Sequence, residues 1–154
     1  MAGKFNEKSF KQKVKKHIAW QKVNELGFLN RQEIADLLAN SKIGMVTLYP
    51  KINYIESLPV KMFEYMAAGI PVIASNFPLW KEIVEGNNCG ICVDPLDSKE
   101  IGRAIQYLID KPTEAEKMGK NGLRASINTY NWSLQEKKLF SFYKHTLNNQ
   151  RIKG

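Results

Sequence analysis

The residues best placed to do chemistry lie between Glu56 and Glu64, inside the run NYIESLPVKMFEYMAAGIPVIAS at positions 53–75. Two carboxylates stand eight positions apart, and between them come Ser57, Leu58, Pro59 and Lys61. A helix opening at Pro59 would aim unpaired backbone N–H groups and the positive end of its dipole at whatever lies in front, which suits an anion such as a diphosphate. Pro59 has no N–H. The donors are therefore expected from Ser57, Leu58 and Val60, with the Ser57 hydroxyl in reach. Val60, Phe63 and Ala67 recur at helical spacing and are expected as the buried stripe, which turns Glu64 toward another face. A carboxylate there can accept two hydrogen bonds from a vicinal diol such as a ribose, and Glu56 can do the same for a sugar. The Lys61 ammonium has two available roles, neutralising phosphate or pairing with Glu64 one turn later. Taken singly, Glu and Lys on a helix surface are ordinarily just solvated.

The elements that must position these residues follow an alternation of short β-rich runs and capped helical stretches, the signature of a parallel α/β sheet. The pattern predicts a lysine-rich amphipathic helix over 4–19, a strand over 23–29, and a helix opened by an Asn30/Glu33 capping box and running to about 40. KIGMVTLY, 42–49, reads as the next strand and YPKINYIESLP as the loop after it. A helix from Pro59 to Gly69 leads into a buried strand, PVIAS, and Asn76 is expected to cap the short helix PLWKEIVEG. ICVD is a further strand. Asp97 with Glu100, Thr113 with Glu116, and Ser133 with Glu136 have the spacing of capping boxes for three closing helices, the last over 133–148. An open parallel sheet ordinarily begins with a strand, whereas this chain begins with a polar segment. AGKF therefore reads as the end of such a strand, and residues 1–154 as one domain that is part of a larger one.

Composition narrows the function classes. The 154 residues are 44% hydrophobic and 25% charged, in the range of an ordinary globular domain. No apolar run approaches the roughly 18 residues of a membrane span, and the N-terminus lacks the apolar centre of a signal peptide, so a cytoplasmic protein is expected. The net charge of +8 is unevenly spread: seven lysines stand against Glu7 in residues 1–22, and five basic residues with no acid fill 137–154. The remainder is net acidic. Nucleic-acid binding would place basic residues on a folded face among aromatics, so it is not expected. Charge crowded at the ends serves solubility, or attraction to an anionic membrane surface. Cys89 and Cys92 form a C-x-x-C, but a strand there would aim residues three apart at opposite faces, and His17 and His145 are far off in sequence. Two small buried hydrophobes are expected, not a zinc or redox pair.

The segment ESLPVKMFEYMAAGIPVIAS closely resembles the signature of the retaining GT-B nucleotide-sugar glycosyltransferases of family 4: Glu, seven residues, Glu, an Ala/Gly-rich helix end and a Pro-Val-Ile strand. GFLNRQEIADLLANSKIGMV, IVEGNNCGICVDPLD and the closing Tyr130-Asn131-Trp132-Ser133 resemble the rest of that family's C-terminal domain, so the likeness covers roughly residues 23–148. It implies a Rossmann-like three-layer α/β/α domain with a parallel sheet. The implied activity is transfer of a sugar from a nucleoside-diphosphate sugar to a saccharide or lipid-linked acceptor, in polysaccharide or cell-surface glycan assembly. Carried over by position, the ribose falls on Glu64 and the donor-sugar hydroxyls on Glu56, the candidate catalytic residue. The diphosphate falls beside Ser57 and Leu58, near Lys61, and the nucleobase near Gly27, Phe28 and Leu29. Many members have glycines where this chain has Ser57, Leu58 and Pro59, so the donor is left open. The family's basic clamp and its N-terminal acceptor-binding domain match nothing here, and the chain alone is expected to be inactive. No D-x-D occurs, so the charge of the departing diphosphate falls to the helix N-terminus and to bases supplied from upstream; no metal or other cofactor is expected. An epimerase of the same architecture and a non-enzymatic nucleotide-binding module are the rival readings.

Overall fold

The computed structural model describes the backbone of residues 1–151 and the side chains of residues 1–147. Arg151 and Lys153, counted among the C-terminal charges, lie outside the described side chains. The chain divides into two compact units, Met1–Asn40 and Ser41–Gly154.

In the first unit, α1 (Lys8–Lys15) is followed by a 3-10 turn (Ile18–Lys22) and α2 (Arg31–Ala39). The helix expected over 4–19 is shorter because His17 leaves helical geometry and its ring accepts the Ala19 N–H, capping the 3-10 turn. The strand expected over 23–29 is reduced to a single parallel bridge between Ala2 and Gly27, where a φ of 69° ends the extended run. The Asn30/Glu33 capping box forms as expected, with Glu33 N–H donating to Asn30 at 3.0 Å and Asn30 N–H donating to Glu33 at 2.7 Å. Lys11 and Lys15 both pair with Glu25, whose carboxyl they hold below its usual pKa. Two of the seven N-terminal lysines therefore have a local anionic partner.

The second unit is built on a parallel sheet in the order β1-β2-β3, with β1 Gly44–Val46, β2 Val72–Ser75 and β3 Gly90–Val93. Gly44 pairs with Val72, and Val72 with Gly90. Side chains alternate across the sheet. Val46, Val72 and Ala74 join a core with Met62, Met66 and Trp80; Ile73 and Val93 join a second one with Ala104 and Leu108. Apolar residues on both faces are what a parallel sheet covered by helices requires.

The expected strand over 42–49 pairs only through Val46. Beyond it, the buried Ser75 hydroxyl accepts from Leu48 N–H at 2.8 Å and donates to Leu48 C=O at 2.9 Å, so a side chain replaces the ladder. The following loop is not wholly irregular, since α3 (Ile52–Ile55) forms one turn inside it. Next come α4 (Val60–Ala67), α5 (Pro78–Val84), α6 (Ser98–Asp110), α7 (Pro112–Asn128) and α8 (Trp132–Arg151).

Several expected helix starts shift by a residue or two. Pro59 is the N-cap of α4 and not its first residue. Phe77, not Asn76, caps α5, and Lys111 precedes α7 with no side-chain cap, Pro112 opening the helix ahead of Thr113. Asn131 accepts the Leu134 N–H in the role expected of Ser133. Asp97 caps α6 through Lys99 and Glu100 N–H.

Candidate functional site

In an open α/β sheet, ligands bind outside the carboxyl ends of the strands. Here the chain leaves β1 there, turns through α3 and re-enters α4, and the predicted chemistry lies on that path. Glu56 is the exposed residue ending α3, with φ −96° and ψ 0°. Ser57, Leu58 and Pro59 form the link, and Lys61 is the second residue of α4. Glu64 is exposed, as expected from sequence. The helix that carries it ends where Gly69 takes φ 70° and Ile70 N–H returns to Tyr65 C=O.

The buried stripe of α4 is not the expected one. Met62 and Met66 are fully buried against the sheet, while Val60 is 71% exposed and Ala67 is exposed. Val60, Phe63 and Ala67 instead line a cleft of about 400 Å³ with Glu64, Ile127 and Tyr130. The helix is apolar around most of its girth, interrupted chiefly by Lys61 and Glu64. Periodicity alone therefore left two stripes available, and packing chose the methionines. Glu64 remains outward in either case.

The set of phosphate donors also changes. Ser57 N–H donates to Tyr54 C=O at 3.2 Å and its hydroxyl donates to the same oxygen at 3.0 Å, so neither is a free donor as folded. Met62 N–H returns to Pro59 C=O. Among the described residues, the N–H groups of Leu58, Val60 and Lys61 have no hydrogen-bond partner, leaving three donors at the start of α4.

Lys61 is half-buried and makes no ion pair among the described residues, so of its two available roles the pairing with Glu64 is not formed. Burial lowers its pKa from the usual 10.5. The unfolded chain therefore holds the Lys61 proton more tightly, and stability rises with pH between the folded pKa and 10.5. Lys61→Met is expected to raise the melting temperature modestly at neutral pH, and the gain should shrink as the pH climbs through that window. Thermal melts of both proteins between pH 7 and 10.5 check this.

Two side chains that sequence reasoning missed hold this path in place. Trp80, fully buried on α5, donates its indole N–H to Ser57 C=O at 2.6 Å, and Ser75 fixes Leu48. A tryptophan within a short, otherwise ordinary helix carried no signal of that partner. Tyr130, paired with Phe63 at 5.3 Å between ring centroids and accepting from Asn87 at 3.2 Å, supports α4 from the side.

Gly27, Phe28 and Leu29 belong to the first unit, where Phe28 is 80% exposed, and their nucleobase role stays with the resemblance. A cavity of about 300 Å³ lies at the opposite, amino end of the sheet, among Ile43, Gly69, Pro71, Leu108 and Ala115. Its lining is mostly aliphatic, and it is remote from the carboxyl edge where α4 begins. Cys89 precedes β3, and both thiols pack toward the same core instead of opposite faces. Burial pushes Cys89 to about 11 and Cys92 to about 12, aided at Cys92 by the Glu85 charge, so both stay protonated and unreactive near neutral pH. Among the described residues no group of three His, Cys, Asp or Glu side chains could hold a metal, and no helix is long and apolar enough to cross a membrane.

A parallel three-stranded sheet flanked by helices matches the fold of GT-B glycosyltransferase domains. The chain belongs to the glycosyl transferases group 1, whose family model matches residues 1–125. It is 31% identical over 105 residues to the MMP α-(1→4)-mannosyltransferase of Mycolicibacterium hassiacum, a match covering 68% of this chain and 24% of that protein. A glycosyltransferase from Rickettsia africae superposes with a TM-score of 0.81 at 23% identity, over 97% of this chain and 40% of that one. Anabaena HepE in complex with UDP gives a TM-score of 0.81 at 20% identity, over 94% of this chain and 40% of that one. The chain thus spans between a quarter and two fifths of the length of these proteins.

Proposed function

We propose that this chain is the donor-binding part of a retaining, family 4 glycosyltransferase that takes its sugar from a nucleoside-diphosphate sugar. The observation that carries the reading is the start of α4, where three amides and the Lys61 ammonium, none with a partner among the described residues, stand between two exposed carboxylates. Glu64 holds the ribose diol and Glu56 the hydroxyls of the transferred sugar. The diphosphate lies at the N–H groups of Leu58, Val60 and Lys61, where the helix dipole and the ammonium favour its charge. As the glycosidic bond to the diphosphate breaks, negative charge grows on the leaving oxygen, and these groups stabilise it without an assigned metal or cofactor. The bound UDP of the structurally similar HepE supports a nucleotide ligand for this fold.

In this reading the acceptor is a saccharide or a lipid-linked saccharide of a cell-surface glycan, bound by a second domain outside residues 1–154. Catalysis in a cleft needs both walls, so the chain alone should bind donor without turning it over. Basic residues near its ends favour work at the cytoplasmic face of an anionic membrane.

Calorimetric titration of UDP, GDP and the parent nucleosides into the chain tests the proposal. A diphosphate should bind more tightly than its nucleoside, and the difference should fade as the pH rises through the lowered Lys61 pKa, because the ammonium loses its charge there. Absence of any diphosphate binding, or turnover of a nucleotide sugar onto an acceptor by this chain alone, would count against it.

A further inference from the structure

The diphosphate loop carries one long-range constraint that its own sequence does not reveal. Ser57 C=O points at Trp80, which is fully buried and donates its indole N–H at 2.6 Å. Trp80 is itself held, its ring packing on Phe77 at 4.7 Å between centroids. No peptide bond among the described residues is cis. In a trans peptide the carbonyl and the following N–H point in opposite directions. With Ser57 C=O fixed inward, Leu58 N–H must point away from Trp80, and it has no partner among the described residues. Ser57 cannot easily turn from its other side either, because its N–H and hydroxyl are both engaged by Tyr54 C=O.

We propose that Trp80 is a positioning residue for the donor diphosphate, acting through the Ser57–Leu58 peptide to present Leu58 N–H to the anion. The inference rests on the donor-site reading above and adds to it a residue that touches neither sugar nor phosphate. Its physical content is preorganisation. Released from the indole, this peptide can rotate, and a half-turn replaces an N–H by a carbonyl oxygen, exchanging a donor for a dipole that repels phosphate. Trp80 holds the productive orientation before the ligand arrives.

The test is Trp80→Phe, which keeps an aromatic ring against Phe77 and removes only the N–H donor and part of the bulk. UDP affinity should fall about tenfold, while affinity for uridine, which has no phosphate, should stay within about twofold of wild type. In amide-resolved NMR spectra the Leu58 signal should move on UDP addition in the wild type and hardly at all in the variant. If wild type fails to prefer UDP over uridine, the donor-site reading fails and this inference falls with it. If wild type shows the preference and Trp80→Phe keeps it in full, the donor site stands and the positioning role is overturned. Equal losses for UDP and uridine would also overturn it, since they would mean general loosening of the domain. Should Trp80→Phe not fold, benzothienylalanine placed at position 80 preserves the bicyclic shape, replaces the N–H by sulfur, and is read by the same criteria.

Discussion

Glu64→Ala is expected to weaken nucleoside-diphosphate binding by roughly ten- to hundredfold, because hydrogen bonds to a charged group contribute about 1.5–3 kcal/mol each. The fold should survive. Glu64 is exposed and supports no packing, and alanine is at least as good a helix former. Glu64→Gln keeps the shape, loses the charge and should fall between. The Tyr65 hydroxyl offers an independent reading of that charge: its pKa is raised by burial first and by the Glu64 carboxylate second. Glu64→Gln should therefore lower the Tyr65 pKa somewhat, without removing the part due to burial. Calorimetric titration of UDP and GDP into the three proteins measures the binding effect. Equal affinities would reduce Glu64 to a solvated helix residue, and the ribose assignment would go with it.

A large loss of stability is expected from a side chain at Gly119, where α7 crosses the end of α4. A Cβ built there would lie 2.0 Å from the carbonyl oxygen of Gly69, a backbone atom in a turn that already uses φ 70°. Neither partner can yield cheaply, so Gly119→Ala should cost about 1–3 kcal/mol or more by overpacking and lower the melting temperature by roughly 5–15 °C. Two companions grade the explanation. At Gly122 the nearest atoms are 3.3 Å away, Cys89 Cβ and Met66 Cα, which predicts a milder loss. At Gly102, exposed in α6 with nothing within 4 Å, alanine should stabilise by about 0.5–1 kcal/mol through helix propensity. Calorimetric melts of the three variants should rank in that order. A Gly119→Ala protein as stable as wild type would mean that α4 and α7 do not approach this closely.

The α4–α7 contact also bears on the site. Glu64 and Lys61 keep their aim only while α4 is held on both sides, by Met62 and Met66 against the sheet core and by the Phe63–Tyr130 pair. A Gly119 variant that still folds should therefore lose some nucleotide affinity along with its stability.

What could be read directly from the amino-acid sequence was what depends on few residues. The Asn30/Glu33 capping box closes within four residues, Gly69 stops α4 because a left-handed φ suits glycine, and the runs PVIAS and ICVD fall to within a residue on β2 and β3, which pair in parallel. The order Glu56, Ser57, Leu58, Lys61, Glu64 fixed where the candidate site would stand, because a strand-to-helix loop presents its residues in sequence. Tertiary structure decided the rest. It chose Met62 and Met66 over Val60, Phe63 and Ala67 as the inner stripe, a choice between two apolar faces that only the shape of the sheet and α7 can make. It also removed Ser57 from the phosphate donors and, among the described residues, gave Lys61 no counter-ion. The bonds that orient the loop join residues 23 and 27 positions apart, Trp80 to Ser57 and Ser75 to Leu48. Local propensity reaches a turn or two along the chain; partners at such separations meet only after the sheet has brought the strand ends together.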